Sequence, residues 1–218
     1  LMEQVKQAVV EQKNAELYAL EAQIDPHFLY NTLDTIKWEA RIRQMPRIAV
    51  LAENLAVILR KSISSKLFIP LKEELETIDS YVEVQEIRFT GRFLCEKEIP
   101  DQLEECLVPK MILQPLVENA ILHGLEGCEN GYICIYAGRE GDVLNISITD
   151  NGCGMSPEIL AWINSPEPEK RDGHLGLYNI MRILKLYYGN EYGLKAEVTE
   201  DGTTVTLSLP VRMEGDDV

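Results

Sequence analysis

The chain has 218 residues, of which 21 are Lys or Arg and 36 are Asp or Glu, for a formal net charge of -15. That length holds one large domain or two small ones, and an apolar fraction of 45% is ordinary for a globular core. A chain this acidic does not hold nucleic acid by bulk electrostatics, so an anionic ligand must be caught locally by backbone N–H groups, a metal ion or a few cations. The cysteines Cys95, Cys106, Cys128, Cys134 and Cys153 are odd in number and include no C-x-x-C pair. This argues against a disulfide framework and a zinc site, and for incidental thiols in a reducing cytoplasm. No run approaches the ~18 consecutive apolar residues of a membrane span, and no signal peptide is visible. Leu1 falls inside an apparent helix, so the sequence reads as the C-terminal part of a longer protein, which can itself be a membrane protein.

Residues 1 to about 44 predict helix, rich in Glu, Gln, Lys, Ala and Leu and free of glycine. Leu17, Leu20 and Ile24 follow a three-four spacing, as do Leu29, Leu33 and Ile36. Pro26 interrupts them: either the helix kinks there, or it restarts with Asp25 as N-cap and Pro26 at N1. Gln44-Met45-Pro46 predicts a turn. A second helix follows from about Arg47 to Ser62, with Ile48, Leu51, Leu55, Ile58 and Leu59 on one face. Residues 64 to 70 read as a connector and Leu71 to Phe89 as a third helix, with Glu73, Glu74 and Glu76 near its start, where they suit the dipole. After Gly91 the pattern changes. Strands are expected over 93–99, 132–137 and 143–149, with a helix from about Pro109 to His123 between the first two and Gly124 just past its end. Asn164 to Gly173 reads as a mobile loop, Leu175 to Tyr188 as a helix, and 194–199 with 203–209 as a hairpin. The plan is a helical half followed by an α+β half.

Four segments carry candidate chemistry. His27, Asn31 and Asp34 share one helical stripe. A neutral imidazole there can attack a phosphoryl group presented by a separate domain, although a histidine in an Asp-Pro helix start is by itself unremarkable. Asp150-x-Gly152-x-Gly154 ends an apolar strand. Its carboxylate can accept from an amino group such as adenine N6, and its glycines let the backbone approach a flat base; the bland alternative is a glycine-rich turn. Asn119 and His123 lie four apart on one helix face. An amide oxygen suits Mg²⁺, and a histidine can meet a phosphate or simply stabilise a helix end. Asn119 stands among Leu116, Val117, Ala120 and Ile121, where a polar group needs a partner. Gly173-His174-Leu175-Gly176-Leu177 opens a helix whose N–H groups can hold phosphate oxygens, with the preceding loop as a lid. No Walker A pattern occurs.

Taken in order, these segments resemble the sensor histidine kinases of the LytS/YesM-like family over roughly residues 15 to 210. Gln23-Ile24-Asp25-Pro26-His27-Phe28-Leu29-Tyr30-Asn31-Thr32-Leu33 looks like the phosphoacceptor motif. Pro115-Leu116-Val117-Glu118-Asn119-Ala120-Ile121-Leu122-His123-Gly124 looks like the N box, Asp150 to Met155 like the G1 box, and Gly173 to Asn179 like the G2 box. Four boxes in order are far more specific than any one alone.

The resemblance implies a multidomain α and α+β chain. Residues 1–68 would be a helical-hairpin dimerisation and phosphotransfer domain, 69–92 a linking helix, and 93–212 a GHKL-type α/β-sandwich ATP-binding domain. It implies a homodimer, ATP and Mg²⁺ as cofactors, and autophosphorylation on His27. The phosphoryl group would pass to the receiver domain of a response regulator, and the membrane would be reached only through an upstream sensor region. Asp150 would contact adenine, Asn119 would hold Mg²⁺, and His123, Gly152, Gly154, Gly173, Gly176 and Leu177 would complete the nucleotide site.

Three features of these motifs bear on the chemistry. Asp25 replaces the usual Asn, His174 stands where many members have Gly, and, as in this family but not most histidine kinases, Phe28 rather than an acid follows His27. The general-base candidates are Glu118, Asp25 and Asp34, in that order. The rival readings are a GHKL ATPase or chaperone, and a catalytically weak scaffold or phosphatase. Pro115 occupies the position where gyrase-type ATPases carry a water-activating Glu, which favours transfer to a side chain.

Overall fold

The structure is a computed structural model and describes residues 26–89, 91–166, 168–171, 173–200 and 202–215. The chain divides into two compact units, Leu1–Ile63 and Ser64–Val218.

In the first unit, α1 (Pro26–Ile42) and α2 (Pro46–Ile63) form a hairpin. The turn is set locally: Gln44 adopts a left-handed φ of 56° and the Met45 N–H donates to the Ala40 carbonyl at 2.8 Å. Pro46 then opens α2, where a missing N–H costs nothing. The seam between the helices is made of small residues, with Ala40, Ala49 and Ala52 buried. Phe28, Ile36, Trp38, Ile42, Ile48 and Leu55 remain exposed. Two helices cannot cover this much apolar surface by themselves. The part of the helical region expected over residues 1 to about 44 that precedes Pro26, with Leu17, Leu20, Ile24 and the candidate cap Asp25, lies outside the described residues.

The second unit is built on a mixed five-stranded sheet of β2 (Phe93–Glu98), β4 (Gly131–Glu140), β5 (Val143–Asp150), β7 (Gly202–Pro210) and β6 (Gly193–Thr199), in that spatial order. β2 runs parallel to β4 and the other pairs are antiparallel. Alternation sends Ile133, Ile135, Leu144, Ile146, Val205 and Leu207 to the buried face. The helices α3 (Leu71–Phe89) and α6 (Leu175–Tyr188) supply Leu71, Leu75, Ile78, Leu177, Ile180 and Leu184 to the same core. Each such side chain contributes roughly 1.5–3 kcal/mol by leaving water. The opposite face is polar and stitched across strands by Ser147–Thr206 at 2.9 Å and Thr149–Thr204 at 3.0 Å.

Three elements differ from the sequence-based expectation. The connector holds a short strand, β1 (Phe68–Pro70), paired antiparallel with β3 (Leu107–Pro109). A capped helix, α5 (Pro157–Ile163), precedes the loop at 164. The helix expected from Pro109 to His123 begins only at Gln114: α4 spans Gln114–Asn119 and widens into a π-turn over Ala120–Gly124. Gly124 therefore sits inside this element rather than just past its end.

The late start of α4 has a physical cause in Glu74. Its carboxylate, 1% exposed, accepts from the N–H groups of Met111 and Leu113, both at 3.0 Å. These bonds hold residues 110–113 in a non-helical turn, with Met111 at φ 60°. Burial pushes the Glu74 carboxyl above its ordinary pKa, and the backbone bonds pull it partly back. Glu74→Ala strands one buried and one part-buried donor and is expected to cost about 2–4 kcal/mol in urea unfolding, with Glu74→Gln costing less because one acceptor survives.

Candidate functional site

The site is built around Asp150. On β5, residues 144, 146 and 148 face the core, and the same alternation puts Asp150 on that face at the strand end, 4% exposed. It pairs in register with Thr203 on β7. Its Oδ1 accepts the Gly152 N–H at 3.0 Å. Burial raises the Asp150 pKa, while the N–H groups of Gly152 and Thr203 oppose the rise.

Glycines let the backbone close on this carboxylate. A Cβ on Gly124 would lie 2.7 Å from Asp150 Oδ1, and one on Gly152 would lie 1.8 Å from the Gly124 carbonyl oxygen. The Cys153 N–H donates to that same carbonyl at 2.9 Å. Gly202, at φ 139°, would place a Cβ 1.8 Å from the Asp150 carbonyl oxygen. Three separate segments thus converge on one acid because none carries a side chain there.

Asp150 forms part of the lining of a cleft of about 130 Å³, with Asn119, His123, Gly124, Gly154, Met155, Ser156, Ile159, His174 and Thr203. Asn119 and His123 come from α4 and its π-turn, whose wide form is closed by the Leu125 N–H donating to Ala120 at 2.9 Å. Met155 and Ile159 supply apolar wall. Ser156 caps α5 by accepting the Ile159 N–H at 3.3 Å. The loop after α5 is fixed at its base. Asn164 donates to and accepts from the Ala196 backbone on β6, at 2.9 and 3.0 Å, and Trp162 donates its indole N–H to the Glu169 carbonyl at 2.7 Å.

The structure gathers Asn119, His123, Asp150 and Gly154 into one cleft. Gly152 lies behind Asp150 as packing. Gly173, at φ 83°, leads into α6, and a Cβ on Gly176 would come 3.0 Å from Pro115 Cβ, so Gly176 lets α6 approach α4. Leu177 does not line the cleft; it is 3% exposed, in the core. Glu118 is exposed beside Asn119 and is outside the lining. His27 is exposed on α1. Asp34 is paired with Lys37 at 2.6 Å, which lowers its pKa and makes it a poorer base. Ser156, Ile159 and Thr203 of the lining lie outside the motifs read in the sequence, while Met155 and His174 lie inside the Asp150–Met155 and Gly173–Asn179 motifs. Strand pairing brings Thr203 there and the Ser156-Pro157 helix start brings Ile159. The Ser-Pro signal was visible in the sequence and the pairing was not.

The donors fit a nucleotide. A buried acceptor beside apolar walls suits a flat heteroaromatic ring with an amino group. The Asn119 amide oxygen suits a hard cation whose other ligands are water and phosphate. No group of three His, Cys, Asp or Glu that could hold a metal ion occurs among the described residues.

A helical hairpin followed by an α/β unit on a mixed sheet is the two-part architecture of a helical region joined to a GHKL-type fold. Residues 15–93 match the family described as histidine kinase, and residues 107–213 match the histidine kinase-, DNA gyrase B-, and HSP90-like ATPase family. The sensor histidine kinase YesM of Bacillus subtilis is 38% identical over 213 residues, covering 96% of this chain and 35% of the relative. The sensor protein LytS of Bacillus subtilis is 30% identical over 207 residues, covering 92% of this chain and 34% of the relative. The chain belongs to the sensor histidine kinases of the LytS/YesM-like family and spans about a third of the length of these relatives. Solved structures share the fold. The histidine kinase domain of the Erythrobacter litoralis EL346 blue-light activated kinase has a TM-score of 0.52 at 15% identity, covering 85% of this chain and 94% of that one. The catalytic domain of histidine kinase ThkA has a TM-score of 0.52 at 22% identity, covering 67% of this chain and 97% of that one.

The raised pKa of Asp150 makes its ionised form a burden on the folded state. The folded state binds this proton more tightly than the unfolded chain, so the neutral acid's contribution is full below the unfolded value of about 3.8 and is lost as pH rises through the folded value. Asp150→Asn is therefore expected to unfold at or above the wild-type temperature at pH 7, with the advantage vanishing near pH 4. Calorimetric melting at the two pH values checks this. Gly152→Ala has no room for its methyl and is expected to lower the melting temperature at both.

Proposed function

We propose that this chain is the kinase core of a two-component sensor. It binds ATP with Mg²⁺ in the cleft, autophosphorylates on His27, and passes the phosphoryl group to an aspartate on a response-regulator receiver domain. The observation that carries this reading is the buried, glycine-cradled Asp150 sharing one cleft with Asn119 and His123, in a chain whose helical unit exposes His27.

In this reading Asp150 accepts a hydrogen bond from the adenine amino group while Met155 and Ile159 cover the ring. Asn119 would hold Mg²⁺, and His123, in the same lining, would meet the phosphates. Mg-ATP, when bound there, would supply the transferable γ-phosphoryl group with part of its charge offset by the metal. The protein contributes mainly positioning and electrostatics, as phosphoryl transfer requires. His27 would attack the γ-phosphorus through an unprotonated ring nitrogen, with ADP leaving as the bond to the bridging oxygen breaks. Its other N–H needs a base as charge develops, and Glu118, exposed next to Asn119, is the first candidate. Asp34, tied to Lys37, is the weakest. The absence of an acid at Pro115 supports transfer to a side chain over transfer to water.

Residues 1–68 serve dimerisation and phosphotransfer, 69–92 carry the connection, and 93–212 form the ATP-binding part. The exposed Ile36, Trp38, Ile42 and Leu55 support a homodimer in which two hairpins bury these faces as a four-helix bundle. No helix among the described residues is long and apolar enough to cross a membrane. We place the chain as the cytoplasmic portion of a bacterial membrane sensor, because its relatives extend far beyond the matched third.

Incubation with γ-labelled ATP and Mg²⁺ tests the proposal. Wild type is expected to gain an acid-labile, alkali-stable label. His27→Gln is expected to lose it while binding ATP within about twofold of wild type, since the cleft lies wholly in the second unit. A label that persists in His27→Gln rules out His27 as the acceptor.

A further inference from the structure

The cleft must accommodate a polyanion, yet no Lys or Arg is among its lining residues. The whole chain carries a net charge of -15. Among the lining residues, the side chains that can become cations are two imidazoles, His123 from the π-turn and His174 at the start of α6. Their ring centroids lie 6.5 Å apart. A ring nitrogen sits about 1 Å from its centroid, so nitrogens turned toward each other stand roughly 4–5 Å apart. One phosphate oxygen can bridge that gap with two N–H···O bonds of about 2.8 Å. His174 is not occupied in helix capping, since its side chain makes no cap hydrogen bond. The Trp162 ring also lies near it, at 5.9 Å between centroids, and Trp162 is itself anchored to the Glu169 carbonyl.

We infer that His174 is a phosphate-contacting residue that pairs with His123 at the cleft mouth and makes nucleotide affinity depend on proton uptake. The inference rests on the nucleotide reading given above and deepens it. Besides His123, the charged group bearing on His174 is Arg171 of the lid loop, and the carboxylate in the lining is Asp150. Burial, Arg171 and His123 lower the His174 pKa, so before a ligand arrives the ring is largely neutral at pH 7. A bound phosphate reverses that balance and raises the pKa. Affinity therefore increases as pH falls toward the free-state value, with a proton taken from solvent into the complex.

The test compares ADP with adenosine, which has no phosphate, in EDTA. Trp162 fluorescence in a Trp38→Phe background is the readout, at pH 6 and pH 8. Binding of ADP is expected to weaken roughly tenfold at pH 6 in His174→Gln and His174→Gly, as loss of one charge-assisted bond predicts. At pH 8 the loss should shrink to about twofold, and adenosine affinity should be unchanged throughout. If wild type binds neither ligand, the nucleotide reading itself fails, and this inference with it. If wild type binds both but ADP affinity is the same in the variants at both pH values, His174 does not touch phosphate while the nucleotide reading stands. An equal loss for adenosine and ADP would assign His174 to cleft shape and overturn the phosphate role.

Discussion

A single buried carboxylate sets the terms for the second unit. Asp150 sits at the last inward position of a central strand, where an ion is costly unless hydrogen-bonded. Two backbone N–H groups partly compensate it. The remaining capacity of the carboxylate opens into the cleft, and Gly124, Gly152 and Gly202 are confined because any Cβ would strike the acid or its surroundings. An arrangement with this little tolerance is costly for folding alone. It is accounted for if the acid must meet a ligand in a geometry that water does not match.

The rest of the unit serves that geometry. Glu74 on α3 holds the turn that delays α4, which fixes where Asn119 and His123 emerge. Gly176 allows α6 to come close to Pro115, so the start of α6 meets the same helix. Asn164 joins the loop base to β6, and Trp162 ties the loop to α5. The floor of the cleft is thus sheet and close-packed turn, while its mouth is helix start and loop. That division suits a site that binds a base rigidly and must admit and release phosphates.

Much of this was legible in the sequence, for identifiable reasons. The three-four spacing of Leu29, Leu33 and Ile36 and the Leu144, Ile146, Ile148 alternation are period signals, and the elements they predict are present. Asn119 is legible as a polar residue amid an apolar run, His123 by its four-residue spacing from Asn119, and Asp150 as an acid at a strand end before two glycines. What was not legible depends on contacts distant in sequence. Nothing local to Met111 shows that Glu74, from another helix, captures its N–H, so the sequence predicts too early a helix start. Gly124 looked like a helix end because a glycine after a periodic run usually is one, while its real constraint is Asp150, far along the chain. The short β1–β3 pair has too few residues for an alternation to register. Leu177 was assigned to the nucleotide by its place in a motif, but the helical phase of α6 sends it to the core.

The central claim is that Asp150 reads an amino group on the base. Calorimetric titration of the wild-type protein with ATP and with the purine triphosphate that lacks the 6-amino group tests it most directly. Loss of the amino group is expected to weaken binding roughly ten- to a hundredfold, because a buried acceptor is then left without its donor. Equal affinity for the two nucleotides would contradict it.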